Sequence, residues 1–107
     1  MSGKVYFLTE GNHIKIGYTT QSIEARIQQL NTGSVQNIYL LGWIYGDKKR
    51  EQELHQQFAN SRVRFNGEWF NPTEDLIKFI NDNNLEPNTI VETINGKVMR
   101  LFSLKKA

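Results

Sequence analysis

Hydrophobic and polar positions fall into short stretches along the chain that can be read one by one. Val5-Tyr6-Phe7-Leu8 is a run of strand formers, and after Glu10-Gly11-Asn12 the segment His13 to Tyr18 sets Ile14 and Ile16 on either side of Lys15. The pair predicts a hairpin with its loop near residues 10–12. Ile23, Ile27 and Leu30 then recur at i, i+4 and i+7, with Thr20 or Ser22 available as N-cap and Asn31-Thr32-Gly33 as the stop, which predicts a helix over 22–31. Ile38 to Tyr45 (IYLLGWIY) is almost continuously apolar, as in a strand covered on both faces, so it is placed at the centre of the sheet, with Gly42 marking a close contact.

Helical spacing returns over 48–60, where Glu51, Leu54, His55 and Phe58 share one side and Lys48, Lys49, Gln52 and Gln56 point elsewhere. Val63 to Phe70 contains Asn66-Gly67, a favourable pair for a tight type I′ turn, and predicts a small hairpin or extended loop. Asn71, Pro72 and Glu74 read as N-cap, N1 proline and N3 acid of a helix over 72–83 that packs Leu76, Ile77, Phe79 and Ile80. Thr89–Ile94 and Lys97–Leu104, joined by Asn95-Gly96, predict a second hairpin ahead of a frayed Lys105-Lys106-Ala107 end. The expected architecture is α/β: a small, mostly antiparallel mixed sheet flanked by three helices, plus a C-terminal β-hairpin.

With 107 residues the chain is expected to form a single domain, residues 1–107, able to build a core from its six Phe, four Tyr and two Trp. The absence of cysteine removes disulfides, thiol nucleophiles and Cys-ligated metals, and fits a reducing compartment. No apolar stretch approaches the roughly 20 residues of a membrane span, so a cytoplasmic protein without membrane contact is expected, in the host cytoplasm if the source is a phage. Net charge is only +2, but it is uneven. Residues 1–50 carry six basic against three acidic groups, 51–86 three against seven, and 87–107 four against one, a pattern of separate basic and acidic faces.

Metal-assisted phosphodiester hydrolysis needs a hard oxygen ligand for a divalent cation, a cation to neutralise the phosphate, and a group to deprotonate water. Glu68, Arg26, and one of Tyr6, Lys15 or His55 supply these in turn. A single firm carboxylate favours one ion, Mg²⁺ or Mn²⁺, and two histidines without cysteine argue against zinc. His55 reads either as a proton shuttle beside the metal or as a core histidine bonded to Glu51 one turn away, which would place Glu51 behind the imidazole as its orienting acid. Trp69 and Phe70 read as packing that fixes Glu68, with base stacking the lesser alternative, and Tyr18 fits core or site. Lys4, Lys48, Lys49, Arg62 and Arg64 are the candidate nucleic-acid contacts, together with Lys15, Arg26 and the tail lysines.

Val5-Tyr6-Phe7, Lys15-Ile16-Gly17, an arginine on the next helix, Glu51-x-x-Leu54-His55-x-x-Phe58 and Gly67-Glu68-Trp69-Phe70 follow one another in an order that resembles the GIY-YIG nuclease superfamily. The likeness is to its small phage and bacterial branch, whose second motif reads KIG and which ends in GEWF. It covers residues 4–71 as a catalytic core and leaves 72–107 as an extension. It implies that Tyr6 is the tyrosine of the first motif, Arg26 the helix arginine, and Glu68 the carboxylate holding one metal ion, with a 3′-hydroxyl and a 5′-phosphate as product ends. Lys15 departs from the tyrosine usual in the second motif; an ammonium there would favour a neighbouring phenolate or bind a phosphate. The expected function is therefore a metal-dependent endonuclease acting on nucleic acid, DNA before RNA. The alternative is a catalytically inactive nucleic-acid- or protein-binding module on the same fold. The C-terminal hairpin is the expected surface for a homodimer or larger complex, since so small a domain buries limited contact area alone.

Overall fold

A computed structural model describes residues 3–32, 37–65 and 67–102. The chain runs β1 (Lys4–Thr9), β2 (Ile14–Thr19), α1 (Ile23–Asn31), β3 (Tyr39–Tyr45), α2 (Lys48–Gln57), a 3₁₀ turn at Ala59–Ser61, β4 (Trp69–Phe70), α3 (Glu74–Asn83), β5 (Thr89–Ile94) and β6 (Lys97–Phe102). The first four strands form one sheet in the order β3-β1-β2-β4, every pairing antiparallel, and β5 and β6 form a separate hairpin. The α/β architecture expected from the sequence is the one observed. Gly33, Asn66, residues 103–104 and the end at residues 105–107, which the sequence reads as a helix stop, half of a turn, the close of the last strand and a frayed tail, lie outside the described residues.

Alternation along β1 sorts the interior into two layers. Val5 and Phe7 join Ile14, Ile16, Leu41, Ile44 and Phe70 on one face, packed by Leu54 and Phe58 of α2, Leu76 and Ile80 of α3, and Val91 and Val98 of the hairpin. Tyr6 and Leu8 turn to the other face, against Ile23, Ile27 and Leu30 of α1 with Leu40 and Trp43. Ser22 caps α1 by accepting from the Ala25 amide at 3.1 Å, and Asp47 caps α2 by accepting from Arg50 at 3.0 Å. The Asp47 carboxylate offsets the basic run Lys48-Lys49-Arg50 at the positive end of the helix dipole.

Three expectations are corrected. The apolar strand β3 is an edge strand, and β1 and β2 are central. Its pattern misleads because a register shift opposite Phe7 and Leu8 sends Leu41 and Ile44 to one layer and Leu40 and Trp43 to the other. Its free edge is covered by the chain leaving α3: Asn84 accepts from the Trp43 amide at 3.0 Å and donates to the Leu41 carbonyl at 3.4 Å, and the Leu85 amide donates to the Trp43 carbonyl at 2.9 Å. The Asn84 amide lies where a Cβ on Gly42 would stand, so the close contact at that glycine is real. Second, α3 begins at Glu74 with Thr73 as N-cap, not with Asn71 and Pro72; the Thr73 hydroxyl is engaged with Ser61 at 2.8 Å and makes no cap bond. Third, α2 stops at Gln57, and its last turn tightens into the 3₁₀ segment.

The edge cover yields a test. Asn84→Ala leaves two backbone groups of β3 without partners and is expected to lower stability by about 1–3 kcal/mol. Urea denaturation read by tryptophan fluorescence measures it; an unchanged midpoint would show that the edge does not depend on this side chain.

Candidate functional site

The site forms where the ladder between β2 and β4 ends. Ile14 stands opposite Phe70 and Lys15 opposite Trp69, and one step further the Ile16 amide donates to the Glu68 carbonyl at 3.0 Å. The Ile16 carbonyl is taken by a side chain, His55 Nε2 at 2.9 Å. Glu68 is thus fixed by its backbone to β2, and α2 is pinned to the same residue through His55.

Tyr6 stands opposite Gly17, and a Cβ at Gly17 would fall on the tyrosine ring and hydroxyl. Only glycine lets the phenol cross β2 there. The hydroxyl so placed accepts from Arg26 Nε at 3.4 Å, and Arg26 projects from the flank of the buried stripe of α1. That hydrogen bond, the Tyr6 charge interaction and the negative charge of Glu68, acting against partial burial, hold the Arg26 guanidinium above its ordinary pKa. Lys15 Nζ lies 3.0 Å from Glu68 Oε1 and 5.6 Å from the Trp69 ring centre. Two contacts, Tyr6–Arg26 and Lys15–Glu68, thus stand along β2, linked by the charge of Glu68 acting on Arg26. Tyr18 packs against Gly3 instead.

On the other side of Glu68 a cleft of about 360 Å³ is lined by Glu51, Gln52, His55, Gln56, Arg62 and Glu68. A carbonyl can only accept and a guanidinium can only donate, so His55 carries its proton on Nε2 for Ile16 and offers Nδ1 to Arg62 Nη2 at 2.9 Å. Both ring nitrogens are occupied, and the expected bond to Glu51 is replaced by these two. Arg62 also donates to the Phe65 carbonyl at 2.7 Å and stacks 5.7 Å from the Phe70 ring, which makes it a wall of the cleft rather than a free cation for nucleic acid. Its Nε is buried without a partner among the described residues. Glu51 is 8% exposed, and burial followed by the charge of Glu68 pushes its carboxyl above the usual value, with Lys48 and Lys15 pulling it back. Its position beside Glu68 was not legible from spacing, which pointed only to the histidine one turn away.

The remaining basic candidates divide. Lys4 lies 5.0 Å from the Trp43 ring centre, Lys48 acts on Glu51 from the exposed first turn of α2, and Lys49 is exposed on the same turn. Arg64 is exposed and lines a groove with Trp69. Among the described residues no three His, Cys, Asp or Glu side chains converge on one point to hold a metal alone. Glu68 with Glu51 near it is the kind of donor set Mg²⁺ uses when it keeps several waters and takes other ligands from a phosphate. A larger apolar groove of about 510 Å³ between β3 and β6 contains none of these residues and no acid or histidine.

No described helix is long and apolar enough to cross a membrane. No curated protein and no solved structure matches the chain. A family model does match: that of the T5orf172 domain, over residues 3–85. This overturns the resemblance to the GIY-YIG superfamily, since the match is to a distinct family. The motifs that suggested the resemblance are a few letters each, and local packing accounts for some of them: Gly17 by the Tyr6 ring, Phe70 by the core. With most of its length inside that match, the chain belongs to the T5orf172 domain family, a phage-associated family.

Proposed function

We propose that the protein is a metal-dependent endonuclease that hydrolyses phosphodiester bonds of nucleic acid, DNA before RNA. The observation that carries this reading is the meeting of Lys15 with Glu68 at 3.0 Å and of Arg26 with Tyr6 at 3.4 Å, with the charge of Glu68 felt by both Arg26 and Glu51. The nuclease association of the T5orf172 family supports it.

Each residue then has a task. Arg26, charged at any working pH and aimed by Tyr6, neutralises the phosphate under attack. Glu68 holds the divalent ion, Mg²⁺ or Mn²⁺, which when bound supplies Lewis-acid polarisation of the phosphate. Lys15 exchanges its partner from Glu68 to a phosphate oxygen, because a pair whose carboxylate is 48% exposed is worth only about 0–1 kcal/mol. The Tyr6 hydroxyl, adjoining the phosphate that Arg26 holds, relays a proton: it takes one from the attacking water as its own passes to solvent. His55 has no free nitrogen for proton transfer, so it positions Arg62 and α2. The Lys15–Glu68 pair also favours a second reading, a binding module in which the lysine keeps the carboxylate permanently neutralised.

Plasmid nicking by purified protein separates the two. Cutting is expected only with Mg²⁺ or Mn²⁺, and Glu68→Gln or Arg26→Ala is expected to lower it by at least about 100-fold with folding intact. Equal cutting by wild type and Glu68→Gln would sink the enzymatic reading.

Glu51 gives a pH-dependent test. Its folded-state pKa is raised, so the stability it contributes is full below the ordinary carboxylate range and is lost as pH rises through the folded value. Glu51→Gln is accordingly expected to match wild type in acid and to exceed it in stability at neutral pH. Denaturation midpoints across that range are the measurement, and a variant less stable than wild type at neutral pH would contradict it.

A further inference from the structure

A second groove opens one residue beyond Glu68 and takes no part in the chemistry above. It measures about 330 Å³ and is lined by Glu10, His13, Val63, Arg64, Gly67 and Trp69. Trp69 follows Glu68 directly and stands opposite Lys15, whose ammonium is shared between the Glu68 carboxylate and the indole ring. The groove and the candidate catalytic site therefore touch through two residues.

Its lining has three distinct chemistries. Trp69 is half-buried, which presents an aromatic surface held by the β2–β4 pairing. Arg64 is an exposed cation at the rim. His13 is fixed edge-on: Glu10 Oε1 accepts the amides of Asn12 at 2.9 Å and His13 at 2.6 Å, and Glu10 Oε2 accepts His13 Nδ1 at 2.8 Å. Burial works against the Glu10 charge, but the hydrogen bonds from His13 and Asn12 outweigh it and keep the carboxyl below its ordinary value. Nδ1 donates to Glu10, and in the neutral ring this leaves Nε2 to accept, on a side chain that is 36% exposed.

We propose that this groove is a nucleobase subsite. One unstacked base next to the phosphate under attack stacks on Trp69, its neighbouring phosphate pairs with Arg64, and an amino group on the base edge donates to His13 Nε2. A flat aromatic platform, a cation on the same groove and an edge acceptor are what exposed bases are recognised by, and a duplex keeps its bases stacked out of reach. The subsite rests on the phosphodiesterase reading and narrows it to single-stranded or locally opened substrate.

The test is anisotropy titration, in EDTA so that nothing is cut, with a labelled eight-nucleotide adenine oligodeoxynucleotide and an abasic deoxyribose-phosphate oligomer of equal length. Wild type is expected to bind the adenine oligomer about five-fold or more tightly than the abasic one, with quenching of tryptophan fluorescence. Trp69→Leu is expected to erase that preference while still binding the abasic oligomer, and Trp69→Phe to keep most of it. Arg64→Gln, on an exposed side chain that folding does not need, is expected to weaken both oligomers alike. Equal binding of the two oligomers by wild type, or a preference that survives Trp69→Leu, overturns the subsite and leaves the nuclease reading standing. Failure of wild type to bind either oligomer overturns the subsite, and the nuclease reading is then decided separately by the plasmid-nicking assay.

Discussion

The antiparallel ladder sends the N–H and C=O of Ile16 to the same side of β2, and β4 is only two residues long, so these buried groups must find partners where the neighbouring strand is ending. The amide goes to the Glu68 carbonyl and the carbonyl to His55 Nε2. An unpaired group there would cost about 1–3 kcal/mol, enough to make both bonds structural requirements. From them follows the rest of the site. Glu68 is held in register beside Lys15; His55, fixed by one nitrogen, hands the other to Arg62; and Arg62 shapes the segment leading back to Glu68 through Phe65. One backbone position thus couples α2, β2 and the loop before β4.

Elements dominated by local chemistry could be read directly. The first hairpin, the Ser22 cap and the Asn95-Gly96 turn, with φ of 51° and 78°, each follow from neighbouring residues. The pairing of Tyr6 with Gly17 was not legible: a loop at 10–12 would set Tyr6 opposite Ile16, and only the observed closure of Thr9 on Ile14 brings it to the glycine. What escaped reading depends on contacts distant in sequence. β3 looks central because Asn84 and Leu85, some forty residues later, cover its edge. His55 lines the candidate cleft, but its partners Ile16 and Arg62 come from outside its own helix, and periodicity on a helix can only suggest Glu51. Arg62 looks like a surface cation in one dimension; in three it is a wall.

The charges at the site are arranged at a cost. Glu51 is buried near a second carboxylate, which raises its pKa and makes its ionised form unfavourable, while Lys15 and Lys48 relieve it only in part. A chain built for stability alone would place an amide or an apolar residue there. Lys15 and Glu68 pair at 3.0 Å with the carboxylate 48% exposed, so water screens much of the attraction. Both features are what a site needs if its acids are to receive a cation and its cations a phosphate, and neither is explained by packing.

The side chains assigned to chemistry lie between residues 6 and 68, whereas the T5orf172 match continues to residue 85. The physical reason is that the sheet cannot be completed without α3. Leu76 and Ile80 close the layer over Phe7, Ile16 and Phe70, and Asn84 and Leu85 satisfy the open edge of β3. Without them Leu41 and Ile44 would face solvent and β1 would lose a stable partner on one side. Tyr6 and Arg26 would then lose the fixed sheet that aims them. The frame is therefore larger than the set of candidate site residues, and short motifs taken from those residues alone do not mark the unit that folds.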